Sequence, residues 1–143
     1  MVAVHFRNMT PEGGVHGGGS GVGFSVQGHA GRAAKGSDVV CAAISAIAQT
    51  AVAAITRVAG VSQDVTQREG VLETSVHVAG LGPEALRDLQ VIVRTMMIGL
   101  DEVRRLHPES ITIDFDCEVR LWHIKKAAVQ HGTGAIRIPN GWA

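Results

Sequence analysis

The spacing of hydrophobic positions changes several times along the chain, and each change marks an element. Residues 2–6 alternate weakly and predict a short first strand. Val22, Phe24 and Val26 stand two apart, separated by Gly23, Ser25 and Gln27, as in a half-buried strand that delivers Gly28 and His29 at its end. From Val40 the spacing becomes three and four. Val40, Ile44, Ile47, Ala51, Ile55 and Val58 form one stripe of a helix, with Ser37 and Asp38 as start signals and Gly60 closing it. Two strands are expected next, over residues 61–67 and through Leu72, Thr74, Val76 and Val78, joined by a turn at Arg68-Glu69-Gly70. Pro83 opens a second helix whose stripe runs Leu86, Leu89, Val93, Met96, Met97, Leu100, Val103 and Leu106, and Pro108 ends it. Ile111, Ile113 and Phe115 alternate with polar residues in a last strand.

This order predicts an α/β (α+β) two-layer sandwich, a mixed sheet of about five strands with two helices on one face. The opposite sheet face is left open unless a second copy or the C-terminal tail covers it. Residues 1–118 are expected to form the domain, and residues 119–143, which hold both tryptophans, a C-terminal extension of unassigned role.

Composition narrows the function. A chain of 143 residues supports one domain with one core. Thirteen Lys and Arg balance thirteen Asp and Glu, which argues against a broad basic surface for nucleic acid. Aromatics are 3% with no Tyr, too few for base-stacking platforms. The N-terminus shows no secretion signal, so Cys41 and Cys117 are expected to be reduced thiols in a cytoplasmic protein. The longest apolar run, residues 39–55, is broken by Ser45, Gln49 and Thr50 and is expected to fall short of a membrane span.

The candidate chemistry lies between the second strand and the first helix. Cys41 is expected within the first helical turn, where unpaired N–H groups and the positive dipole end stabilise a thiolate. His29, at the end of the preceding strand, is the nearest imidazole in sequence. A thiolate that attacks an acyl carbon needs such a partner to hold the proton and return it to the leaving amine. Ser45 follows one turn later on the same face, and Asp38 precedes Cys41 by three residues, able to cap the helix or orient His29. Against this, a Cys in an alanine-rich helix is more often a small buried hydrophobe, and a His at a strand end more often a solvated side chain.

Rival constellations are weaker. The glycine-rich stretch from His16 to Gly21 precedes a strand, whereas a phosphate cradle needs a helix and usually a Lys. Seven histidines form no His-x-x-x-His pair and no Cys-x-x-Cys occurs, so no metal site and no cofactor are expected. Asp114 and Asp116 share a strand face with Glu118 and read as solvated edge charges.

The segment Gly28-His29-Ala30-Gly31-Arg32-Ala33-Ala34-Lys35-Gly36-Ser37-Asp38-Val39-Val40-Cys41-Ala42-Ala43-Ile44-Ser45 resembles the signature of the ribosomal-processing cysteine proteases, the Prp family. The Gly-His-Ala start, the Asp three before the Cys, the Cys-Ala-Ala-x-Ser block and the His-to-Cys spacing are shared. The resemblance covers roughly residues 2–118. It implies Cys41 as nucleophile, His29 as general base and acid, and Gly28, Asp38 and Ser45 as supporting positions. It further implies a homodimer, a loop over the substrate hinged by Gly31 and Gly36, and removal of the N-terminal extension of large-subunit ribosomal protein twenty-seven. That loop carries Arg32, Ala33 and Ala34 where the family commonly has aromatics, which points to a different peptide preference. With that altered loop and Lys125-Lys126 in the tail, the alternative is a ribosome-associated binding module without turnover.

Overall fold

The computed structural model of the chain describes residues 1–16, 21–28 and 35–116, apart from the side chains of residues 35–38. Within them the elements run β1 (Val2–Arg7), β2 (Val22–Gln27), α1 (Lys35–Arg57), β3 (Gln63–Arg68), β4 (Val71–Val76), α2 (Pro83–Leu106) and β5 (Ile111–Asp116). The strands form one five-stranded sheet in the order β3-β4-β2-β1-β5. β1 and β5 are parallel, and the other three pairings are antiparallel. This is the expected mixed sheet with two helices.

Period-two alternation decides which sheet face is covered. Val2, Val4 and Phe6 of β1, Val22, Phe24 and Val26 of β2, Leu72 and Val76 of β4, and Ile111, Ile113 and Phe115 of β5 are buried together. They share one core with Ile44, Ala48, Ala51 and Ile55 of α1 and Leu89, Val93, Met97 and Leu100 of α2. All three phenylalanines stand on adjacent strands: Phe6 stacks on Phe115 at 4.9 Å and tilts against Phe24 at 5.9 Å. The opposite face is polar, and there Arg7 reaches across β2 to the Thr74 carbonyl at 3.2 Å and the Ser75 hydroxyl at 3.1 Å.

The edge strand β3 is fastened to α1 through Gln63. Its Nε2 donates to the Val52 carbonyl at 2.6 Å and to the Thr56 hydroxyl at 2.9 Å, and its Oε1 accepts from the fully buried Thr74 hydroxyl at 2.7 Å. One carboxamide thus serves helix, edge strand and inner strand.

β4 ends at Val76, short of Val78, and three further boundaries differ from expectation. The third strand begins at Gln63, because Val61 is buried where the chain leaves α1. Arg68 still pairs with Val71, so the hairpin turn contracts to Glu69 and Gly70, with Gly70 at φ 71°, a conformation that favours glycine. The third difference concerns α1, which starts at Lys35 rather than after Asp38. Ser37 and Asp38 are helical residues, not caps, and Gly36 lies in the first turn of the helix rather than in a loop.

Over Val39–Arg57 the mean hydropathy is 2.0, so α1 is long and apolar enough to cross a membrane, contrary to the sequence expectation. In the fold it serves instead as a core helix, with Val40, Ile44, Ala48, Ala51 and Ile55 facing the sheet.

Candidate active site

β2 and β3 end at the same end of the sheet, where β1 and β4 begin. The N-terminal half of α1 lies over that end. Between them opens a cleft of about 160 Å³, bounded by Cys41, Ser45, Ala48 and Gln49 of α1 and by Gly28, Gln67, Arg68, Gly70, Val71 and Leu72 of the sheet. Its apolar floor includes Val26 and Ile44.

The helix wall follows from spacing alone. Cys41, Ser45 and Gln49 are four apart, so they line one flank of α1, beside the core stripe of Val40, Ile44, Ala48 and Ala51. Cys41 is accordingly half-buried, while Ser45 and Gln49 are exposed. The thiol of Cys41 is in no disulfide.

Gly28 is fixed by its surroundings. Its N–H donates to the Gly70 carbonyl at 3.0 Å. A Cβ there would stand 2.8 Å from Val2 Cα and 2.9 Å from Val2 Cγ2, closer than side-chain carbons come. The residue that precedes His29 in the chain is therefore held between the start of β1 and the β3–β4 turn, and only glycine fits.

The longer helix changes the electrostatic expectation. Cys41 is the seventh residue of α1, in its second turn rather than its first. In an α-helix the four N–H groups without intrahelical partners belong to the N-cap and the three residues after it, all ahead of Cys41, and the dipole effect falls off within the first turn. The helix end thus contributes less at Cys41 than the sequence suggested.

Of the residues singled out from the sequence, the structure brings Cys41, Ser45 and Gly28 to one cleft. His29, Gly31, Arg32 and Cys117 lie outside the described residues, as does the side chain of Asp38. The sequence reading missed Gln49 and Gln67. Gln49 could have been found as the next step of the Cys41–Ser45 flank. Gln67 could not, since its place depends on the register of β3 against β4. Among the described residues no group of three or more His, Cys, Asp or Glu is placed to hold a metal ion.

The family model for the cysteine protease Prp matches residues 15–112. No curated protein sequence matches the chain. Among solved structures, the essential ribosomal processing protease Prp from S. aureus, in complex with a substrate peptide, is 22% identical. It superposes with a TM-score of 0.62, over 81% of this chain and 100% of that one. SMU.848 from Streptococcus mutans is 20% identical with a TM-score of 0.60, over 82% of this chain and 96% of that one. At these identities the structures testify to the shared fold. The family match spans well over half of the sequence and takes in Cys41 and Gly28 of the cleft. The chain belongs to the cysteine protease Prp family, and its activity is the hydrolysis of peptide bonds by a cysteine thiol.

Proposed function

We propose that Cys41 is the nucleophile and His29 the general base and acid of a protease that trims the N-terminal extension of large-subunit ribosomal protein twenty-seven. The observation that carries the reading is the cleft at the end of β2, where Cys41 and Ser45 of α1 face Gly28, the residue before His29. His29 takes the Cys41 proton, the thiolate attacks the peptide carbonyl, and the protonated imidazole delivers the proton to the departing amine. Water, deprotonated by the same imidazole, then releases the thioester and restores the thiol. Ser45, one turn beyond Cys41, orients the peptide, and Asp38 orients His29.

Residues 1–118 constitute the catalytic domain in this reading. The loop with Gly31 and Arg32 closes over the peptide, and Gly36 in the first turn of α1 marks where it meets the helix. The protein works in the cytoplasm as a homodimer. An exposed apolar groove of about 500 Å³ between α1 and α2, lined by Ala46, Ile47, Ala54, Val91, Met96 and Gly99, supports such a pairing because water is a poor partner for it.

Mass spectrometry of ribosomal proteins, comparing cells that carry native protein with cells that carry Cys41→Ala, tests the substrate. Retention of an N-terminal extension in the variant alone is expected. Identical masses in both would remove this substrate from consideration. The chemistry is tested separately: native Cys41 should react with iodoacetamide faster than a simple thiol, and an ordinary rate would count against an activated nucleophile.

A further inference from the structure

The flank of α1 that begins at Cys41 continues through Ser45 and Gln49 to Val52 and Thr56, and all of it runs beside β3. Strand and helix lie in opposite directions. The start of β3 is tied to Val52 and Thr56 by Gln63, while its end, at Gln67 and Arg68, opens on the cleft with Cys41. β3 is the outermost strand of the sheet, and no described strand pairs on its outer side. From Asp64 to Arg68 every residue is exposed, and Val65 keeps 44% of its surface in contact with solvent.

The ladder shows which backbone groups that edge presents. The His77 N–H donates to the Ser62 carbonyl at 2.9 Å, one step beyond the Gln63–Val76 pair. Bonded and non-bonded pairs alternate along antiparallel strands. Asp64, Thr66 and Arg68 therefore bond to β4, whereas Val65 and Gln67 direct N–H and C=O outward. Val65 and Gln67 stand opposite Thr74 and Leu72, so their side chains are on the sheet face that carries the helices.

We propose that the substrate polypeptide binds as an added strand on the outer edge of β3, its backbone bonded to Val65 and Gln67, so that its scissile bond reaches Cys41 at the end of the strand. The inference rests on the protease reading above and adds to it how the peptide is held. Unpaired edge groups are a ready template for an extended chain. The edge chosen is the one continuous with the cleft. β5, the other edge, lies three strands away from β4, at the far side of the sheet from the hairpin that lines the cleft. Backbone pairing fixes the peptide without reading its sequence. Alternate side chains of the bound segment would point toward Ser45 and Gln49 and would favour small or uncharged residues there.

The probe is a peptide copying the N-terminal extension of ribosomal protein twenty-seven, with N-methyl groups introduced one amide at a time. Loss of kcat/KM at every second amide, by roughly five- to tenfold for each lost hydrogen bond, is expected. An even loss, or none, overturns the added strand. Val65→Pro and Gln67→Pro remove outward N–H groups while leaving the bonds to β4. Each should lower kcat/KM by a similar factor, with iodoacetamide labelling of Cys41 and thermal melting close to native. Unchanged cleavage by both overturns the inference while leaving the protease reading intact. No cleavage by native protein, with an ordinary labelling rate, overturns both. Conversion of a dimer to a monomer by Val65→Pro, with unchanged turnover per site, would show that the edge joins two copies, and also overturns it.

Discussion

The Gly28 amide donates to the Gly70 carbonyl at 3.0 Å, tying the end of β2 to the turn between β3 and β4. Neither position has room for a side chain: a Cβ on Gly70 would stand 2.8 Å from the Gly28 carbonyl oxygen, and one on Gly28 would meet Val2. This clamp sets the sheet wall of the cleft opposite Cys41.

Gly28→Ala should therefore lose both stability and activity. Forcing a methyl group against Val2 costs about 1–3 kcal/mol, as for other overpacked sites. The chain entering His29 must shift as well. Urea denaturation and peptide cleavage, measured on the same preparation, check this; a variant of native stability with full activity would contradict the clamp.

Cys41→Ala and His29→Ala separate chemistry from folding. Cys41→Ala removes only the sulfur of a half-buried side chain, so the variant should melt within a few degrees of native while losing detectable turnover. His29→Ala should cut turnover by about 10²–10⁴, the usual range for a general acid–base group. A His29 variant with native kcat would require another base.

Gln63→Ala should destabilise the domain by about 1–3 kcal/mol, because it strands the buried Thr74 hydroxyl as well as breaking the link to α1. Pairing it with Thr74→Val removes the orphaned hydroxyl. The double variant should then be more stable than the sum of the single losses predicts, and a denaturant double-mutant cycle measures that coupling.

Phe6→Ala should be the most damaging core change, at about 3–5 kcal/mol, since Phe6 sits between Phe24 and Phe115 of the two flanking strands. Against a total stability of about 5–15 kcal/mol for a natural domain, that leaves little folded protein to spare. Phe6→Leu, which keeps most of the volume, should cost clearly less. Thermal or chemical unfolding of both variants decides.

Much of the fold was legible because its signals are local. The two-residue alternation in β2 and β5 and the three-and-four spacing in α2 required no knowledge of neighbours. Pro83 and Pro108 bracketed α2, whose observed span is Pro83–Leu106. The start of α1 misled. Ser37 and Asp38 are good caps in general, yet Lys35 and Gly36 continue the helix ahead of them. Helix ends depend on what the preceding chain does as well as on intrinsic preference.

By itself the sequence determined the elements, the flank that puts Cys41, Ser45 and Gln49 in line, and the Gly-His-Ala and Cys-Ala-Ala-x-Ser blocks by which the chain resembles the family. Tertiary structure alone decided that Gly28 is wedged between Val2 and Gly70, that Gln67 joins the cleft, and that α1, apolar enough for a membrane, serves as a core helix. The reason is range. Spacing along one helix or strand is set by backbone geometry within a few residues, whereas a clamp between residues 28 and 70, or the order β3-β4-β2-β1-β5, exists only once distant segments have packed.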